Sequence, residues 1–246
     1  MKAIVFGGTS GMGRAVARRL VERGDAVFLL ANDEAELQRS AADLKAHSPS
    51  QAEVGYAVCD LAKPEGFAAA LDAADAALGG FDAVVVTAAI FASQEALEAD
   101  IELCRKLVTL DYAHTLVFCE HVRKRLLARG GGRLAVFSSV AGDRGRKPVA
   151  IYGSAKAGLS LYLEAMDHKY HSAGLSVLCV KPGFVKTAMT AGLKPPPFAG
   201  EPDQVARDVV RAMDQRKTVL YTPGMWRLVM LVIRALPRFV MRKIGF

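Results

Sequence analysis

In the stretch YGSAKAG a phenol and an ammonium stand four places apart, at Tyr152 and Lys156. On a helix, positions i and i+4 share one face, so the two groups meet. An ammonium beside a phenol favours the phenolate and lowers the tyrosine's pKa, which suits a group that gives and takes a proton. The same spacing arises on any solvent-facing helix, so the pair acquires meaning only from its surroundings. A second feature with chemistry in it lies near the start, where FGGTSGMG sets Gly7, Gly11 and Gly13 between an apolar run and a helical stretch. Bare backbone N–H groups, a tight turn and the positive end of a helix dipole suit a dinucleotide pyrophosphate; side chains there would block its approach. The spacing G-x-x-x-G-x-G is one residue longer than the general dinucleotide fingerprint.

The elements that must position these residues follow from apolar patterning. Short apolar runs at 2–6, 26–31, 54–58, 83–89, 133–139, 175–183 and 218–221 read as strands. Helical patterns at 11–23, 34–46, 64–78, 95–127 and 152–172 lie between them. Continuous apolar strands between amphipathic helices predict a parallel sheet covered on both faces. The fold class is therefore α/β: a Rossmann-type, doubly wound sheet of about seven strands. One domain is expected over 1–222, followed by a basic amphipathic extension over 223–246.

Composition narrows the class. The chain has 246 residues, 52% of them hydrophobic, and a net charge of +7. Five of the excess charges sit in the tail, at Arg227, Arg234, Arg238, Arg242 and Lys243, with no acid from 225 onward. A near-neutral body with one basic apolar tail is not a nucleic-acid footprint and points to a membrane surface. The four cysteines are widely spaced and read as reduced thiols of a cytoplasmic protein. Too few apolar residues precede the first glycines for a signal peptide. His168 and His171, three apart with no cysteine or acid cluster nearby, read as solvent-facing, and no metal is expected.

The longer glycine spacing together with Tyr152-x-x-x-Lys156 resembles the short-chain dehydrogenase/reductase family over residues 2 to about 222. Ser139, in FSSVAG, lies thirteen residues before Tyr152, the family's spacing for its catalytic serine. The resemblance implies an NAD(P)H-dependent carbonyl reductase or alcohol dehydrogenase. In it Tyr152 is general acid, Ser139 orients the carbonyl oxygen, and Lys156 also holds the nicotinamide ribose. It places Gly7, Thr9, Ser10, Gly11, Met12, Gly13, Asn32 and Ala88 on the cofactor. From CDL it adds Asp60, beside the adenine, and Leu61. From KPGFVKT it adds Pro182, Gly183, Val185 and Thr187, the last on the nicotinamide carboxamide. A homodimer or homotetramer through 95–127 and 152–172 is likewise implied by the family.

Departures from the family pattern are informative. Val-Thr-Ala-Ala at 86–89 replaces Asn-Asn-Ala-Gly, and Asp111 stands where the family has its active-site asparagine. A carboxylate there either preserves the family's contact to the lysine or raises the tyrosine's pKa and grips Lys156. An acid at Ala31 would signal NAD and an arginine at Asn32 would signal NADP; neither is present, so NADH versus NADPH stays open.

The tail WRLVMLVIRALPRFVMRKIGF bears on the substrate. On a continuous wheel its four arginines share one side and Leu228, Val229, Val232, Ile233, Leu236 and Val240 the other, with Pro237 splitting it into two short helices. Trp226 would sit among lipid headgroups; the other reading is a tail packed on the body or on a partner subunit. With SSVAGDRGRKPVAIYGSAKAGL and VKPGFVKTAMT, this tail resembles the decaprenylphosphoryl-2-keto-ribose reductases and their relatives. That resemblance implies a lipid-linked keto-sugar substrate and a cytoplasmic protein peripheral to the inner membrane face. Arg144 and Arg146, with Lys147, then either bind the lipid phosphate or form a solvated loop. The Pro- and Gly-rich segment 191–200 reads as a substrate flap. Two alternatives stand beside this one: a reductase of a 3-keto sphingoid or 3-oxoacyl lipid, and a non-catalytic dinucleotide-binding sensor or scaffold.

Overall fold

A computed structural model of the protein describes residues 1–49, 53–192, 194–196 and 198–245. Seven strands form one sheet: β1 (Lys2–Phe6), β2 (Ala26–Ala31), β3 (Val54–Val58), β4 (Ala83–Val86), β5 (Gly132–Phe137), β6 (Leu175–Pro182) and β7 (Val219–Thr222). Every pairing is parallel, in the order β3-β2-β1-β4-β5-β6-β7. The chain leaves β1 toward β2 on one side and returns to β4 on the other. The carboxyl ends of β1 and β4 thus border the crevice where ligands bind in such sheets.

Period-two alternation along β1 divides the core. Ala3 and Val5 face α1 (Gly11–Glu22), α2 (Glu34–Ala46) and α8 (Pro202–Asp214). Ile4 and Phe6 face α3 (Phe67–Leu78), α6 (Thr115–Ala128) and α7 (Ala150–Tyr170). On that side Phe118 lies 4.6 Å from Phe6 and 5.3 Å from Phe67, centroid to centroid. All three rings are fully buried, each worth about 2–3 kcal/mol in removed apolar surface.

Two expectations need correction. The helix expected over 95–127 is four pieces: α4 (Gln94–Ala99), α5 (Ile101–Val108), a π-wound stretch at Thr109–His114, and α6. Asp100 makes the first break, its carboxylate capping α5 through Glu102 N (2.9 Å) and Leu103 N (3.1 Å). Second, α8 was not anticipated, although Pro202 opens it and Val205, Val209 and Met213 line its buried face.

The tail packs on the body through one face and exposes the other. It forms α9 (Met225–Ala235) and α10 (Arg238–Lys243), divided at Leu236-Pro237, so the arginines share no single helix. Trp226, Met230 and Ile233, spaced i, i+4, i+7, cluster with Val140, Phe184 and Tyr221. Trp226 is thus buried, not among headgroups as expected: its indole occupies the space above Gly183, where a Cβ would come within 2.0 Å of it. Among the described residues no helix is long and apolar enough to cross a membrane.

Candidate active site

The glycine turn after β1 is built for close approach. Gly7 has φ +86°, and a Cβ on it would meet Thr87 Oγ1 at 2.6 Å; one on Gly13 would meet Gly7 O at 2.1 Å. Thr87 donates its hydroxyl to Phe6 O (3.0 Å) and joins the β4 end to the turn. Ser10 flanks α1 without a side-chain cap, so the helix's first N–H groups face the cleft with no competing acid in the first turn. That cradle fits a pyrophosphate.

The cleft, about 230 Å³, gathers Gly7, Thr9, Ser10, Gly11, Met12 and Gly13 from the turn. Asn32, Ala88 and Thr187 join them from β2, β4 and the segment after β6. Thr187 lies over Gly11, its methyl 3.5 Å from where a Cβ would stand. Cys59, Thr87 and Met189 also line it and were missed, because nothing about a thiol, threonine or methionine in sequence marks a cleft wall. Burial pushes the Cys59 thiol up to about 12, keeping it protonated.

The other residues expected on the cofactor do not line this cleft. Asp60 turns its carboxylate back onto Ala62 N (2.9 Å), and Leu61 is buried in the α3-side core. Val185 is buried on the α8 side and bridges Gly200. Pro182 ends β6 opposite Thr222, and Gly183 lies beneath Trp226. The side chains of Leu61, Pro182 and Val185 go to packing, which the motif spacing does not reveal.

Three elements converge on Tyr152 and Lys156. Tyr152 and Lys156 stand on the first turns of α7, with Lys156 Nζ 5.6 Å from the centroid of the phenol ring. The loop after β5 supplies Ser139, whose hydroxyl also accepts from Ala141 N at 3.1 Å. Gly142 lets this loop press on α7, since a Cβ there would meet Ala157 N at 2.7 Å. The π-wound stretch supplies Asp111, fully buried, with Oδ2 3.1 Å from Lys156 Nζ and Oδ1 accepting from Ile90 N at 2.8 Å. Lys156 also donates to Phe137 O at 3.4 Å.

The electrostatics decide between the two effects expected of Lys156 and Asp111. Burial raises the Tyr152 pKa most; Lys156 and a hydrogen bond from Ser139 pull it down, Asp111 pushes it up, and the net shift is upward. Lys156 feels burial pulling its pKa down, but Asp111 and Tyr152 outweigh that and hold it charged. The phenol is therefore kept as a proton donor.

The loop between Ser139 and Tyr152 also needs correction. Arg144 donates to Leu236 O at 2.9 Å and Lys147 to Arg242 O at 2.6 Å, so both hold the carbonyl ends of the tail helices and neither waits for a phosphate. Burial lowers the pKa of Arg146, its Nε has no hydrogen-bond partner, and Asp143 offsets the shift in part. Of the 191–200 segment, Leu193 and Pro197 lie outside the described residues; Phe198 stacks edge-on to Trp226 at 5.0 Å.

Comparison with known proteins agrees with this geometry. A family model described as short chain dehydrogenase matches residues 1–197. An uncharacterized oxidoreductase of Mycobacterium tuberculosis is 34% identical over 98% of this chain and 95% of its own length. Carbonyl reductase family member 4 of Xenopus tropicalis is 27% identical over 84% of this chain and 88% of its own. The L-sorbose reductase of Gluconobacter frateurii, solved with NADPH and L-sorbose, shares the fold at a TM-score of 0.79 and 21% identity, over 89% of this chain and 94% of that one. A cradle for a dinucleotide, a family match over most of the chain and a relative aligned nearly end to end agree: the protein belongs to the short-chain dehydrogenase/reductase family and is an NAD(P)-dependent oxidoreductase.

Proposed function

We propose that the protein works as a ketone reductase, with Tyr152 as general acid, on a lipid-linked keto-sugar of the polyprenyl-phosphate 2-keto-pentose type, at the inner face of the membrane. The observation that carries it is the convergence of Tyr152, Lys156, Ser139 and the buried Asp111, with Lys156 Nζ 5.6 Å from the phenol ring and 3.1 Å from Asp111 Oδ2; burial and Asp111 raise the phenol's pKa while Lys156 stays charged beside it. In this reading Gly7, Gly11, Gly13 and Thr187 would hold NAD(P)H, which would supply the hydride. Ser139 hydrogen-bonds the carbonyl oxygen, and Tyr152 gives that oxygen its proton. Lys156 stabilises the phenolate left behind, and Asp111 fixes Lys156 in place. The substrate class rests on the tail: Arg144 and Lys147 each give an N–H to a backbone carbonyl of the tail, and the cations with no such tie are Arg146 and those of α9 and α10.

The test uses purified protein, deuteride-labelled NADH or NADPH, and a membrane lipid extract, with products read by mass spectrometry. Deuterium in a polyprenyl-phosphate pentose is expected, and the productive label names the cofactor. Deuterium in a sphingoid or acyl lipid would replace the substrate class while keeping the chemistry. A Tyr152→Phe variant that retained the full biological effect would sink the reductase reading and leave a cofactor-binding sensor.

A further inference from the structure

The apolar residues of α9 fall on two faces. Trp226, Met230 and Ile233 turn inward, while Met225, Leu228 and Val232 turn outward and are 52%, 61% and 62% exposed. Leu231 and, on α10, Phe239 are likewise exposed. Around it stand Arg227, Arg234, Arg238, Arg242 and Lys243, whose side chains have no acidic partner among the described residues, and no acid follows Asp214 in the chain. An exposed apolar strip ringed by unpaired cations complements an anionic bilayer: the apolar groups enter the headgroup boundary and each cation adds attraction.

The inner face reaches the catalytic walls. Val140, next to Ser139, and Phe184, next to Gly183, share one apolar cluster with Trp226. The indole lies on Gly183, and its ring meets Phe198 of the 191–200 segment at 5.0 Å. Arg144, five residues past Ser139, holds the end of α9. The indole N–H is buried with no acceptor, which disfavours this seat relative to one that would satisfy it. A tail that shifts on its outer face must therefore move groups against both the serine loop and the Pro182-Gly183 segment.

We propose that α9–α10 is the surface that docks on an anionic bilayer, and that docking is transmitted through Trp226 to the walls of the catalytic cleft. The proposal rests on the membrane-peripheral reading above, but not on the identity of the substrate.

Trp226 is the protein's single tryptophan, so its emission reports this junction directly. The full chain is mixed with vesicles of phosphatidylglycerol and phosphatidylcholine, or of phosphatidylcholine alone. Sedimentation reads binding, and Trp226 emission reads the junction, with NADPH added to follow energy transfer from the indole. We expect binding to the anionic vesicles only, with a change in emission and in transfer to NADPH. A Val232→Glu/Phe239→Glu variant, altered only at exposed sites, should bind about tenfold or more weaker and show no emission change. Equal binding to both vesicles, or unchanged binding by the variant, overturns the docking surface. Binding with unaltered Trp226 emission overturns the transmission. If the variant instead changes only the oligomeric state, the face joins copies of the chain and the proposal falls. None of these readouts requires turnover, so failure of the reductase reading would show separately, as no ketone reduced.

Discussion

The molecule builds the same three residue types into two neighbouring places. Lys156, Asp111 and Tyr152 form one set; Lys181, Asp143 and Tyr221 form the other. In each the lysine Nζ lies 5.6 Å from the tyrosine ring centroid, and in each the carboxylate is almost wholly buried. What differs is where the phenol O–H goes. Tyr221 donates to Asp143 Oδ2 at 2.7 Å while Lys181 holds Oδ1 at 2.6 Å, so both carboxylate oxygens are occupied. Asp111 gives its second oxygen to a backbone N–H, which leaves Tyr152 bound to Ser139 and open to a carbonyl. Burial and the bond to Asp143 raise the Tyr221 pKa, and that proton has nowhere to go. A buried Lys–Asp–Tyr set is thus a tie when the phenol ends on the carboxylate and leaves the phenol free for another acceptor when it does not. The tie joins the serine loop (Asp143), β6 (Lys181) and β7 (Tyr221), where Lys181 and Tyr221 are register partners.

Removing each hydroxyl should separate the two roles most sharply. Tyr152→Phe is expected to lower the rate of ketone reduction by about 10²–10⁴, with NAD(P)H binding kept. Tyr221→Phe should leave the rate within a few-fold and lower stability by about 1 kcal/mol, the size of one hydrogen bond. Single-turnover cofactor oxidation and thermal melting of both variants decide it; equal losses of rate would end the distinction. The lysines come next. Lys156→Met strands a fully buried carboxylate and should cost about 3–5 kcal/mol in urea unfolding, whereas Lys181→Met leaves Asp143 with Tyr221 and should cost less. Both lysines have raised pKa values in the fold. Their pairs therefore stabilise fully below the ordinary lysine value of 10.5 and lose that contribution as pH rises through the higher folded value. A melting temperature that is flat up to that region and falls above it is the expected profile.

The pH dependence of the reaction tests a smaller effect. Asp111 pushes the Tyr152 pKa up, so Asp111→Asn should lower it. Reduction, which needs the protonated phenol, should then fade at a lower pH than in the unaltered protein, and alcohol oxidation should set in at a lower pH. An unchanged alkaline limb in both directions would show that Asp111 only fills space.

How much of this the sequence carried depends on whether the cause was local. The close approaches at Gly7 and Gly13 were legible because they show directly as residue type and spacing, while Thr187, expected from the family resemblance, lines the same cleft. The strands were legible because burial on both faces leaves uninterrupted apolar runs. The break at Asp100 and the π winding that carries Asp111 were not, since the apolar pattern continues across both. α8 was legible in retrospect from Pro202 and its apolar stripe. The sign of the Tyr152 shift was not legible, because Lys156 and Asp111 pull oppositely and the burial that decides it is assembled from α4, α5, the loop after β4 and the π turn. Arg144 was the least legible: its acceptor is a backbone carbonyl 92 residues on.

That last contact gives the mildest test, and it separates the serine loop's two ties. Asp143 fastens the loop to the sheet through buried groups, whereas Arg144 fastens it to the tail through one half-buried hydrogen bond. Arg144→Gln should therefore leave global stability within about 1 kcal/mol. Its effect belongs at the tail, where loss of the cation from the α9 end frees the Leu236 carbonyl. Amide hydrogen exchange should speed up over 236–243 in the variant and stay unchanged in β6 and β7. Protection lost in β7 as well would mean that the tail and the Lys181–Asp143–Tyr221 tie unfold as one unit, and the division between a fixed sheet edge and a movable tail would be wrong.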